Sequence, residues 1–124
     1  MTQIIAIAAG GAAGSLLRFW MSSGVHAVLG RQFPYGTLAV NVLGCLLMGI
    51  LFVLLTERLN LGPVWRAGLL IGLLGGFTTF SAFSMETIAL IEQGALFKAA
   101  LNIVLSVSAC LAATWLGILA ARQL

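Results

Sequence analysis

The sequence predicts an all-α integral membrane protein, with four transmembrane helices, the third of them broken, forming a single domain over residues 1–124. Three observations carry this expectation. Hydrophobic residues make up 61% of the chain and charged residues 7%, whereas an ordinary soluble domain is about 25% charged. Charges and turn residues divide the chain into four apolar stretches, each close to the roughly 20 residues that a helix needs to cross the hydrocarbon core. Within the third stretch, Gly75-Gly76-Phe77-Thr78-Thr79 is poor material for a continuous helix, because adjacent glycines are followed by adjacent β-branched residues. The composition excludes a solvated globular fold and a disordered segment. The net charge of +3 comes from cations scattered singly, so no nucleic-acid patch is implied. No soluble protein partner is implied either.

The first span is expected over about 3–23, interrupted only by Arg18. No basic residue precedes it, so it reads as a span rather than a cleaved signal peptide. A polar connection follows around His26, Gly30, Arg31 and Pro34. The second span covers about 36–55, inside a stretch from 32 to 56 that holds no charge. Glu57, Arg58, Asn60, Gly62 and Pro63 make a tight connection. The third span, about 64–91, contains Glu86, and Glu92, Gln93, Gly94 and Lys98 surround the next turn. The fourth covers about 97–119 and runs out at Arg122. Trp20, Tyr35, Trp65 and Trp115 fall near span ends, where amphipathic rings prefer the membrane interface. Cys45 and Cys110 lie inside spans and read as small packing residues.

Orientation follows from Lys and Arg counts on the two sides. Four spans put Arg58, Arg66 and Arg122 on one side. Arg31 and Lys98 lie on the other, with Arg18 toward it. That balance gives the positive-inside rule almost nothing to act on, so insertion both ways up is expected. Two oppositely inserted copies would form an antiparallel, dual-topology homodimer, the arrangement that larger transporters build from inverted repeats. Small residues recur four apart at Gly10 and Gly14, at Gly68, Gly72 and Gly76, and at Ala113 and Gly117. Such spacing lets helix backbones approach closely in lipid. One chain of this size leaves little interior room, which again points to a second copy.

Several polar groups stand out. A break in the third span frees backbone carbonyls, which lipid tolerates only where they are buried, wet or bound to an ion. Beyond the break, Phe80 and Phe83 share one helical face, with Ser81 and Ser84 on the neighbouring one. Aromatic rings carry a positive edge, so ring edges beside hydroxyl donors suit an anion. Arg18 and Glu86 are the ionisable groups inside spans, and such groups are functional suspects. Asn41 lies one turn beyond Thr37 on the second span. Asn102, Ser106 and Thr114, with Cys110 filling the gap, form a mildly polar stripe on the fourth. No metal-ligand cluster, nucleophile with a base partner, or phosphate loop occurs. Transport, not enzymatic catalysis, is expected.

Three segments in order resemble the Fluc/CrcB family of fluoride channels. Gly10-Gly11-Ala12-Ala13-Gly14-Ser15-Leu16-Leu17-Arg18 resembles the pattern GGxxGAxxR, with Ser15 in place of Ala. Gly36-Thr37-Leu38-Ala39-Val40-Asn41-Val42-Leu43-Gly44 resembles GTLxVNxxG. The run from Gly72 to Ser84 resembles GxxGGxTTFSTFS, with Ala82 where a hydroxyl residue is usual. The resemblance implies a passive fluoride exporter of the cell's inner (plasma) membrane, an antiparallel homodimer with two pores. It implies that Phe80 and Phe83 line each pore with ring edges and that Asn41 donates to the anion. Ser81 and Thr114 would form a polar track, with Ser84 a weaker member. Glu86 would lie toward a pore end and Arg18 at an aqueous vestibule. The carbonyls of Gly75 and Thr78 from both subunits would hold a structural sodium ion on the two-fold axis. If a hydroxyl at 82 helps anions move, Ala82 implies weaker conduction. The runner-up is a small dual-topology multidrug or cation exporter. That reading calls for a carboxylate in the first span, where this chain has Arg18.

Overall fold

The computed structural model describes residues 1–124 as helices joined by short turns, with no strand. Helix α1 spans Thr2–Leu29. It continues past the expected end because Val25, Ala27, Val28 and Leu29 offer nothing to stop it. Termination comes at Gly30, whose φ of 88° suits glycine and whose N–H donates to the His26 carbonyl at 2.8 Å. Helix α2 spans Tyr35–Val53 and is prolonged by a π-wound turn, Leu54–Arg58. Asn60, at φ 52°, turns the chain toward Pro63, which opens the next helix where its missing N–H is harmless.

The third span is two helices. Helix α3, residues 63–77, begins with Pro63–Arg66, is π-wound over Ala67–Leu74 and closes with Gly75–Phe77. Thr78 and Thr79 are extended, with ψ of 156° and 118°. Helix α4, Phe80–Glu92, then starts afresh with Thr79 as its N-cap. The Thr79 hydroxyl accepts from Ala82 N–H at 3.1 Å. The break therefore falls inside the glycine–threonine run. Gly94, at φ 80°, makes the last turn, and α5 runs over Leu96–Arg122.

Four stretches, Thr2–Leu29, Tyr35–Arg58, Pro63–Glu92 and Leu96–Arg122, are long and apolar enough to cross a membrane. Only 24 of 124 residues are buried, so most large apolar side chains point outward. Water would penalise that surface, whereas lipid or a second protein surface would cover it. Packing is closest where side chains vanish. Helix α1 lies against α3 and α2 against α5. A methyl group at Gly10 would meet the Gly68 carbonyl, and one at Gly14 would meet the Leu73 carbonyl. One at Gly76 would stand 2.7 Å from the Gly11 carbonyl. Gly49 and Gly117 make the same kind of approach between α2 and α5. The four-residue spacing of small residues is thus used for backbone-to-backbone contact.

Candidate functional site

The site is organised around the broken backbone. In an unbroken helix the Thr79 N–H would donate to the Gly75 carbonyl. Here it donates to Asn41 Oδ1 at 2.8 Å, and Asn41 Nδ2 donates back to the Thr79 carbonyl at 2.9 Å. One side-chain amide on α2 thereby satisfies both backbone groups of the extended residue. The second N–H of Asn41 remains for the cavity it faces. The Thr78 hydroxyl donates to the Leu74 carbonyl at 3.0 Å, while the Thr78 carbonyl accepts no hydrogen bond. An unpaired carbonyl at this depth needs a partner. A hard cation bound through oxygen is one that fits.

Three clefts lie along this framework, each sharing wall residues with the next. The outer one, about 540 Å³, is bordered by His26, Arg31, Gln93 and Lys98. Ser22 and Glu86 form its shared wall with a middle cavity of about 250 Å³, which also holds Arg18, Thr37 and Ala82. Thr79 is shared between this middle cavity and an inner one of about 310 Å³. Asn41, Phe80, Phe83, Ser106 and the two cysteines line that inner space. The cleft linings grade from charged and polar to aromatic and largely apolar.

Individual side chains are placed as follows. The Phe80 and Phe83 rings lie 5.3 Å apart between centroids, tilted at 45°. Phe83 is buried, but Phe80 is 75% exposed on the single chain. Glu86 Oε1 accepts from the Thr37 hydroxyl at 2.5 Å, while Oε2 is buried without a partner. Arg18 reaches the same cavity and makes no ion pair. The Ser81 hydroxyl is 3.3 Å from that of Thr79, and Ser84 is exposed. Thr114 donates to the Cys45 carbonyl at 3.2 Å. Ser81, Ser84 and Thr114 therefore sit outside the three cavities, whereas Asn41, Phe80, Phe83, Arg18 and Glu86 line them.

Other participants are plain only in three dimensions. Thr79 joins two cavities, and Thr37 anchors Glu86. Thr87 back-bonds to the Phe83 carbonyl at 2.7 Å and also accepts from Asn102 Nδ2 at 2.9 Å. Ser106 donates to Asn102 Oδ1 at 3.3 Å. This buried ladder ties α4 to α5. Phe80, Phe83 and Thr87 share one helical face in the sequence, but spacing does not show that Asn102 lies opposite Thr87.

The two ends of the bundle carry separate charge groups. Arg122 pairs with Glu57 at 3.1 Å, and Arg58 donates to the Arg122 carbonyl. At the opposite end Lys98 donates to the Gln32 carbonyl at 3.3 Å, beside Arg31.

Four membrane-crossing spans, an interrupted helix and clefts graded from charged to aromatic define a multi-pass membrane protein of the ion-pathway class. The family model described as CrcB-like protein, Camphor Resistance (CrcB), matches residues 5–118. The chain is 56% identical over 122 residues to the fluoride-specific ion channel FluC of Methylococcus capsulatus, covering 98% of this chain. It spans about half of that relative, 54% of its length. It is 52% identical over 124 residues to the fluoride-specific ion channel FluC of Geobacter sulfurreducens, covering all of both chains. With the protein of that name from Coxiella burnetii it shares 52% over 123 residues, covering 98% of this chain and 99% of the other. The chain belongs to the CrcB family.

Proposed function

We propose that this protein is a passive fluoride channel of the inner (plasma) membrane, letting the ion leave the cell through two pores of an antiparallel homodimer. The names of the relatives support fluoride as the ion. The observation that carries the reading is a row of three clefts with shared wall residues, leading past Arg18, Glu86, Thr79 and Asn41 to the Phe80–Phe83 pair. Fluoride is small and strongly hydrated, so a path must replace its water without holding it so tightly that exit stalls. A fixed cation belongs at the mouth, where it raises local anion concentration. The narrow part is better lined by an amide N–H, hydroxyls and ring edges. In this reading Asn41, Phe80 and Phe83 line each pore, with Ser81, Ser84 and Thr114 along a polar track that a second copy completes.

The antiparallel dimer is supported by the balanced cations at the two ends and by Phe80, whose 75% exposure calls for a cover. The Gly75 and Thr78 carbonyls are suited to hold a structural sodium ion between the copies. Thr78 has a carbonyl without a donor, and Gly75 has lost the N–H of Thr79. Bound there, sodium would supply the charge that freed backbone lacks. The test is fluoride-electrode efflux from proteoliposomes. Phe80→Ile and Phe83→Ile each remove the ring edge while keeping bulk, and each is expected to abolish efflux. Full efflux from both variants would contradict the assignment.

A further inference from the structure

Cys45 on α2 and Cys110 on α5 are free thiols that line one cavity, the inner one beside Phe80, Phe83 and Asn41. Their spacing is set by rigid surroundings. Gly49 and Gly117 bring the two backbones together, and Thr114 clamps the Cys45 carbonyl from α5. Cys110 lies one turn before Thr114 on α5, so it shares the helix face that meets Cys45. The other lining residues are Asn41, hydroxyl residues and apolar side chains, with no cation among them. No cation or base lies beside the two thiols to activate them. A soft metal ion changes that, because it displaces the protons and bonds to both sulfurs.

Charge decides which soft metal fits. Two thiols and a divalent ion give a neutral bis-thiolate complex and release two protons. A monovalent ion stays neutral only by leaving one sulfur protonated and weakly bound, whereas displacing both protons leaves a net anion in a largely apolar cavity, where an uncompensated charge is penalised. We propose that Cys45 and Cys110 form a two-thiol site for a soft divalent metal ion, of which mercuric ion is the simplest example. Its occupation closes the path beside the phenylalanine pair. The closure rests on the proposed channel function, whereas the binding does not.

The test uses mercuric chloride on the purified full chain and on the same protein in liposomes. After desalting, elemental analysis should find one mercury per chain, with both thiols protected from maleimide. Fluoride efflux should fall by about tenfold or more. Cys45→Ala and Cys110→Ala, each compared with its own untreated rate, should need about tenfold more mercury for the same block. Silver ion should block less well than mercuric ion at equal concentration. Two mercury ions per chain, or none, would overturn the site, and so would undiminished block in both variants. One mercury per chain with unchanged efflux would overturn the closure. The metal stoichiometry and maleimide protection are read on the unmodified protein, so they stand even if a variant fails to fold or no fluoride current is found.

Discussion

The two halves of the broken span are held by different means. Helix α3 is clamped to α1 at backbone level. Gly10, Gly14, Gly72 and Gly76 sit where any side chain would strike a carbonyl or main-chain nitrogen. Helix α4 is gripped by side chains instead. Asn41 holds its N-cap residue, Thr37 holds Glu86, and Asn102 holds Thr87. Close backbone contact leaves no space, so the α3 side is scaffold. Polar side chains hold neighbours apart as well as together, and the cavities lie on that side. The half carrying Phe80 and Phe83 is therefore the half whose supports are a few removable side chains.

The sharpest way to break this contrast is Gly14→Ala. A methyl group there meets the Leu73 carbonyl and stands 2.9 Å from the Phe77 nitrogen, both backbone and unable to move aside. Loss of monodisperse, folded protein on size exclusion is expected. Gly24→Ala, which meets nothing within 4 Å, should gain up to about 1 kcal/mol from helix propensity. Equal behaviour of the two variants would show that the glycine seam is not what holds α3.

The next effect is smaller and lies on the other half. Asn41→Ala strands the Thr79 N–H and carbonyl together, which should cost about 2–6 kcal/mol at roughly 1–3 kcal/mol per buried group. Thermal unfolding in detergent would register it as a lowered midpoint. An unchanged midpoint would mean that the threonine backbone finds other partners.

Smaller again is Thr87→Val, which keeps shape and removes the acceptor of the Asn102 amide. About 1–3 kcal/mol is expected. Local hydrogen exchange should rise at the middle of α4 before it rises in α3. Uniform exchange across both halves would argue that the span unfolds as one piece.

How much of this could be read in the sequence follows the same division. Charges and turn residues marked the four spans, and the glycine–threonine run marked the break, because both signals are local. The glycine seam was readable as spacing, since four apart is one face whatever lies opposite. Helix α1 runs several residues past the expected span because only Gly30, with its positive φ, stops it. The grip of Asn41 on Thr79 was not readable. Periodicity tells which face a residue occupies, not which group 38 residues away it meets. Thr87 reads from sequence as one more helical threonine bonded to its own backbone, which it is. Only its second partner, Asn102, makes it part of the ladder. Cys45 and Cys110 read as separate packing residues for the same reason, and become a pair only when α2 and α5 are laid together.

The measurement that bears most directly on the whole account is ion release from liposomes carrying the unmodified protein, followed with fluoride and chloride electrodes side by side. Fluoride is expected to discharge down its gradient while chloride stays trapped. Release of both ions alike, or retention of both, would contradict it.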